Sequence, residues 1–123
     1  MGSVPVSTTH LVPYRDEHLA FDFEHQLVAL DNTRMSLTRK EYDLLALLVR
    51  HAGEIIPRDA LLQQVWGYGA DIRTRTLDVH VRRLRKKLGS YAELYIETIF
   101  GIGYRFQPYR VPRYFQPVIA VSA

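Results

Sequence analysis

Residues 73–87 read RTRTLDVHVRRLRKK, and this stretch decides the fold. Seven of its residues are Lys or Arg, and Asp78 is its only acid. At about 100° per residue, a helix of this sequence gathers its apolar side chains into one narrow stripe and turns most of its basic side chains to the opposite side. The stripe is Leu77, Val81, Leu84 and Leu88, and the outward side carries Arg75, Val79, Arg82, Arg83 and Lys86.

A helix of this kind suits the major groove of DNA, which admits an α-helix and whose phosphates attract positive charge. An ordinary surface helix with a solvated cationic face has the same charge pattern. Val79 favours DNA, because an apolar side chain among arginines gains little from water but can contact a thymine methyl group.

The composition is that of one globular domain of 123 residues, with 47% hydrophobic and 24% charged residues. The formal net charge is only +3, so the local concentration of positive charge matters more than the total. The absence of cysteine excludes a disulfide framework and a thiolate zinc site. Because no apolar run is long enough to cross a bilayer and the start lacks a signal-peptide pattern, we expect a cytoplasmic protein with no membrane partner.

Three regions are predicted along the chain. Residues 1–18 have the composition of a linker or tag remnant, although Leu11 to Tyr14 is compatible with an edge strand. Residues 19–106 form the domain, which begins with short apolar segments separated by turn residues, a pattern typical of an antiparallel meander. Residues 107–123 form a tail expected to be flexible, since three prolines argue against a helix there.

Helices and a hairpin are predicted for the rest of the domain. Thr38 and Glu41 have the spacing of a capping box, and Gly53 is placed to end the helix that they begin. A second helix is predicted from Arg58 to Trp66, followed by the basic helix. Two strands, Tyr95 to Thr98 and Tyr104 to Phe106, flank a glycine-containing turn over residues 100–103.

Three segments make the resemblance specific: LTRKEYDLLALLVRHAGEIIPRDALLQQVWG, RTLDVHVRRLRKKL and IETIFGIGYRF. In order and spacing, the chain from about Leu19 to Phe106 resembles the DNA-binding effector domain of OmpR/PhoB-type response regulators. The resemblance implies an α+β fold, a winged helix-turn-helix with an N-terminal antiparallel sheet, a three-helix core and a C-terminal β-hairpin wing. It also implies sequence-specific binding of double-stranded DNA, for transcriptional regulation, as the output domain of a two-component response regulator.

The resemblance assigns roles to individual residues. Those matching Thr76, Val79 and Arg83 face base edges, and helical periodicity independently turns these three outward. Trp66 is also compatible with a packed core aromatic, and Thr98 and Tyr104 with cross-strand packing. The residues expected at phosphates are Trp66, Arg73, Arg75, Arg82, Arg85, Lys86, Thr98 and Tyr104.

Phe100 departs from the family pattern at the tip of the wing, where an arginine commonly enters the minor groove. A narrow minor groove attracts a cation through its negative potential, and a phenyl ring lacks that attraction. Arg105 lies too close to the second strand of the hairpin to take the place of this minor-groove arginine fully. We therefore expect weak or absent minor-groove readout.

The resemblance also implies partners. The loop of residues 67–74 matches a segment that contacts RNA polymerase in some relatives, and the family normally carries a receiver domain, which does not fit before Leu19. The chain is thus expected to be an excised effector domain or a stand-alone regulator. The isolated domain is expected to be a monomer, and the full-length protein a tandem dimer on DNA. A winged helix used for protein–protein contact is the alternative function.

The sequence predicts no catalytic activity, no cofactor and no metal site. The five histidines lack the spacing of metal ligands, and no acidic cluster joins them. The short run Gly101-Ile102-Gly103 lacks the third glycine and the following helix of a dinucleotide-binding loop.

Overall fold

The computed structural model describes residues 12–67 and 74–109. The strands are β1 (Tyr14–Arg15), β2 (Leu19–Asp22), β3 (Leu27–Leu30), β4 (Thr33–Arg34), β5 (Ile55–Pro57), β6 (Ile96–Ile99) and β7 (Gly103–Phe106). The helices are α1 (Arg39–Arg50), α2 (Arg58–Trp66), α3 (Thr74–Leu88) and α4 (Ala92–Tyr95), with a 3₁₀ turn at Gly89–Tyr91. The α+β fold predicted from the sequence is confirmed.

The N-terminal sheet is an antiparallel meander in the order β1-β2-β3-β4. Phe21 is buried on its inner face, as the alternation of apolar and polar residues predicts. Ordered structure begins before Leu19, because Tyr14 and Arg15 pair with β2. The edge strand considered at Leu11 to Tyr14 is thus present at Tyr14 and Arg15, within the stretch also predicted as a linker. The side chain of Asp16 holds this strand, because its Oδ1 accepts hydrogen bonds from the backbone N–H of Leu19 and from the Tyr95 hydroxyl.

Helix α1 begins as the sequence predicts. The Thr38 backbone N–H donates to Glu41 Oε1 over 3.0 Å, and the Glu41 N–H donates to Thr38 Oγ1 over 3.2 Å, so the capping box is complete. Gly53 follows the helix with φ of +88°, the left-handed conformation expected of it. These local signals place α1 against the core.

Helix α3 supplies the centre of the core. Its leucine stripe is confirmed, since Leu77, Val81, Leu84 and Leu88 are each at most 1% exposed. Buried side chains of α1 and α2 join the same apolar cluster. The opposite side of α3 is therefore free to carry charge.

The C-terminal sheet has the order β5-β7-β6, and all its strands are antiparallel. We name the hairpin Ile96–Phe106 the wing. The predicted strand at Tyr95 is wrong by one residue, because Tyr95 closes the short α4 and stacks its buried ring on Phe106 at 5.4 Å. The tail begins with a residue attached to the domain, because the Gln107 N–H donates a hydrogen bond to the Tyr95 carbonyl. Residues 110–123 lie outside the described residues.

Candidate nucleic-acid interface

The side of α3 opposite the leucine stripe is a cationic surface. Because the stripe packs into the core, the side chains on the opposite side face solvent. Arg75, Arg82, Arg83 and Lys86 are all exposed, as the periodicity predicts. Thr76 and Val79 lie half-buried among them. Two of the predicted base-reading residues, Thr76 and Val79, thus lie on one helix with the third, Arg83, and with other exposed cations.

Asp78 interrupts this cationic surface and is held by two neighbouring elements. Arg58, the first residue of α2, donates a hydrogen bond to Asp78 Oδ1, and the Tyr104 hydroxyl donates to the same oxygen over 2.9 Å. Partial burial raises the pKa of the Asp78 carboxyl, but these hydrogen bonds outweigh it and leave the pKa below its ordinary value. Asp78 is therefore an ionised carboxylate within the cationic surface, and it links α3 to Arg58 and Tyr104.

Tyr104 is buried, and its hydroxyl points into the protein rather than to solvent. The guanidinium carbons of Arg58 and Arg85 lie 5.8 Å and 5.7 Å from the centroid of its ring. Burial and the hydrogen bond to Asp78 raise the pKa of Tyr104, so the phenol stays protonated as a donor. The two cations and the ring form a compact cluster between α3 and the wing.

Arg85 also has intramolecular partners. Its Nη2 donates to the Ile96 carbonyl over 2.9 Å and to Thr98 Oγ1 over 2.7 Å. Arg85, Thr98 and Tyr104, three of the residues predicted to bind phosphate, therefore hydrogen-bond within the protein. Cross-strand placement of Thr98 and Tyr104 is confirmed, because they are register partners in the wing.

Trp66 lies at the end of α2 with its ring edge-on to His80 at 4.9 Å. It is half-buried, and the Lys40 ammonium lies 5.9 Å from its ring centroid. His80 is half-buried, and its Nδ1 lies 2.8 Å from the Thr76 carbonyl oxygen. Trp66 is thus a half-buried packing residue between α2 and α3.

The tip of the wing presents apolar side chains to solvent. Phe100 is 91% exposed and Ile102 is 49% exposed. Arg105 does not reach the tip, because its Nε and Nη2 both donate to Glu97 Oε1, over 3.0 Å and 2.8 Å. Among the described wing residues, the tip carries no cation.

Arg58 was not singled out from the sequence, although a signal for it exists. A lone acid in a helix with six Lys and Arg needs a partner when it is partly buried, and Asp78 takes that partner from the start of the preceding helix. Residues 68–73, which include Arg73 and most of the predicted polymerase-contacting loop, lie outside the described residues. Within residues 12–67 and 74–109, no group of three or more His, Asp or Glu side chains is placed to hold a metal ion, and no helix is long and apolar enough to span a membrane.

The fold and this surface define a winged helix-turn-helix of the OmpR/PhoB type, with a basic third helix and a β-hairpin wing. Residues 32–106 match the family model described as transcriptional regulatory protein, C terminal, and the chain belongs to that family. It is 46% identical over 89 residues to the transcriptional regulatory protein HprR of Escherichia coli, an alignment covering 72% of this chain and 40% of HprR. The chain thus spans less than half the length of this curated relative.

Two solved structures are similar in fold. The DNA-binding domain of Klebsiella pneumoniae RstA, in complex with the RstA box, is 34% identical with a TM-score of 0.70, covering 79% of this chain and 98% of that one. The response regulator DrrB of Thermotoga maritima, an OmpR/PhoB homologue, is 31% identical with a TM-score of 0.71, covering 77% of this chain and 44% of that one. The described region therefore corresponds to the DNA-binding domain of RstA.

Proposed function

We propose that the chain binds double-stranded DNA sequence-specifically as the output domain of a two-component response regulator and so regulates transcription. The observation that carries this proposal is the two-sided α3. Its leucine stripe is at most 1% exposed, while Arg75, Arg82, Arg83 and Lys86 point to solvent. Such a helix can enter the major groove without unpacking the core.

Base recognition is assigned to Thr76, Val79 and Arg83. An arginine can bond bidentately to guanine, and Val79 can contact a thymine methyl group. The exposed cations Arg75, Arg82 and Lys86 would fix the register at phosphates, together with Arg73 and Trp66.

The proposal extends to the full-length protein. The family normally joins this domain to a receiver domain, and dimerisation through the receiver would place two copies in tandem on DNA, while the isolated domain would be a monomer. Residues 67–74 would contact RNA polymerase. The location would be cytoplasmic, where the DNA is, and the domain would carry no enzymatic activity and need no cofactor.

The experiment is selection of bound sites from random duplexes at near-physiological salt, followed by titration of the selected duplex and a scrambled one over a range of salt. We expect an enriched motif and a log affinity that falls linearly with log salt, with a slope of several phosphates. A module that docks an acidic protein partner would show the salt slope without an enriched motif. That result would contradict the proposal.

A further inference from the structure

Two side-chain hydrogen bonds, which we call the pins of the wing, connect α3 to the wing. The first joins Asp78 to Tyr104 of β7, and the second joins Arg85 to Thr98 of β6. Asp78 and Arg85 are seven residues apart, so they lie on nearly the same side of the helix, roughly 10 Å apart along its axis. Their partners Thr98 and Tyr104 face each other across the β6–β7 ladder.

This arrangement has a mechanical consequence. The β5–β7 ladder and the burial of Ile96 and Phe106 hold the base of the wing. Two hydrogen-bonded points on one side of α3, reaching two paired strands, add a defined orientation of the wing relative to that helix. Arg58 adds a third element, because it bonds Asp78 through its side chain while its backbone N–H donates to the Ile102 carbonyl at the wing tip over 2.9 Å. The wing is thus hydrogen-bonded to α2 as well as to α3.

We propose that Asp78, Arg85, Thr98 and Tyr104 are positioning residues that fix the angle between α3 and the wing, so that both contact DNA as one rigid unit. This inference rests on the DNA binding proposed above. It assigns Tyr104 and Thr98 to the geometry of the site rather than to phosphate, because the Tyr104 hydroxyl donates its proton to Asp78 and the Thr98 hydroxyl oxygen accepts from Arg85. A rigid pair of contact elements binds its target better than a hinged pair, since less orientational freedom is lost on binding.

Asp78 allows the inference to be separated from simple electrostatics. A carboxylate close to DNA repels phosphate, so replacing it with a neutral residue raises affinity for any duplex if charge is all that matters. If Asp78 positions the wing, Asp78→Asn instead lowers the ratio of specific to non-specific affinity. Simple electrostatics therefore predicts higher affinity with an unchanged ratio, whereas the positioning role predicts a lower ratio.

The first arm of the test needs no DNA. Residual dipolar couplings of backbone amides report the orientation of α3 relative to β6 and β7 in the wild type and in the double variant Tyr104→Phe, Thr98→Val. These substitutions keep the ring and the branched shape and remove only hydroxyl groups. We expect one fixed orientation in the wild type and averaged couplings for the wing in the variant. An unchanged, equally rigid wing would overturn the inference, whatever the fate of the proposed function.

The second arm measures binding of the selected duplex and of the same duplex shortened on the wing side. We expect shortening to weaken the wild type about tenfold and each single variant, Tyr104→Phe or Thr98→Val, markedly less. The salt slope should be unchanged, because the variants remove no charge. Equal shortening penalties in the wild type and the variants would overturn the inference.

Tyr91→Phe is the matched control, because it removes a phenol hydroxyl that donates to Asp31 in the N-terminal sheet, away from the wing. It should leave the shortening penalty unchanged. Melting temperatures confirm folding, and the single Thr98→Val variant serves if the double variant is unstable. A wild type that binds every duplex equally would refute the proposed function, while the dipolar couplings would still decide the inference.

Discussion

Glu41 in the first turn of α1 accepts a hydrogen bond from the ammonium group of Lys87 in the last turn of α3. The Glu41 side chain is 2% exposed and the Lys87 side chain 37% exposed, so a buried carboxylate meets a partly solvated cation. Glu41 is also the third residue of α1 and completes the capping box with Thr38. One side chain thus begins a helix and joins it to the end of the proposed DNA-contacting helix.

Glu41→Gln tests this connection, because glutamine retains the capping geometry and removes the charge. We expect the free energy of unfolding at pH 7 to fall by about 1–3 kcal/mol, measured by urea denaturation. Glu17→Gln, at an exposed glutamate in the loop before β2, is the control and should be neutral. A loss no larger than that of the control would mean that the pair contributes nothing.

The same pair predicts a dependence on pH. Burial raises the pKa of Glu41, but the hydrogen bonds from Lys87 and from the Thr38 backbone outweigh it, so the folded-state pKa is lowered. The stabilisation is therefore complete above the unfolded value of about 4.3 and is lost as the pH falls through the lower folded-state pKa. The stability gap between wild type and Glu41→Gln should be constant from pH 7 to pH 5 and shrink below pH 4. A gap that persists at the lowest pH would contradict this assignment.

Gly103 and Gly101 predict a contrast within the wing. A Cβ on Gly103 would lie 2.0 Å from the Ile56 carbonyl oxygen, so Gly103→Ala must push β5 away from β7. A Cβ on Gly101 meets nothing within 4 Å, and only its φ of +78° opposes a side chain. We expect Gly101→Ala to cost about 1 kcal/mol and Gly103→Ala about 3 kcal/mol or more, by thermal or urea unfolding. Equal costs would show that the strand contact is not rigid.

Periodicity predicted the parts of the fold that local sequence controls. The leucine stripe of α3 and the capping box of α1 are each determined within one or two helical turns, so the sequence revealed both. The pins of the wing were not predicted, because Asp78 and Tyr104 are far apart in sequence and meet only through the packing of three elements. The sequence allowed an edge strand ending at Tyr14 but did not reveal what holds it, since Asp16 is hydrogen-bonded by Tyr95 from the far end of the domain.

Arg83 and Arg82 are adjacent exposed cations to which the proposal assigns different roles. Arg83→Ala should cost about 1–3 kcal/mol of binding free energy and relax the preference at one base pair. Arg82→Ala should weaken all duplexes alike and lower the salt slope by about one. Both variants should keep their stability to within about 0.5 kcal/mol, because neither side chain supports the core. Titrations of the selected duplex and its single-base variants decide the roles, and equal, sequence-independent losses would remove Arg83 from base reading.

Phe100 predicts how the wing responds to the DNA beneath it. The tip carries a 91% exposed phenyl ring, and Arg105 is held by Glu97, so no described cation of the wing is placed to sense the negative potential of a narrow minor groove. Changing the A·T content under the wing should therefore alter affinity little. Phe100→Arg should introduce an A·T preference of about 1 kcal/mol, because it adds the missing cation on an already ordered turn.

The measurement compares wild type, Phe100→Ala and Phe100→Arg on duplexes that differ only in the base pairs beneath the wing. Phe100→Ala is the matched control, since it removes the ring without adding charge. A strong dependence of the wild type on A·T content that Phe100→Ala abolishes would show that the ring itself reads the groove. In that case the exposed phenyl group would be a shape-sensing contact, and the absence of a cation would not explain the behaviour of the wing.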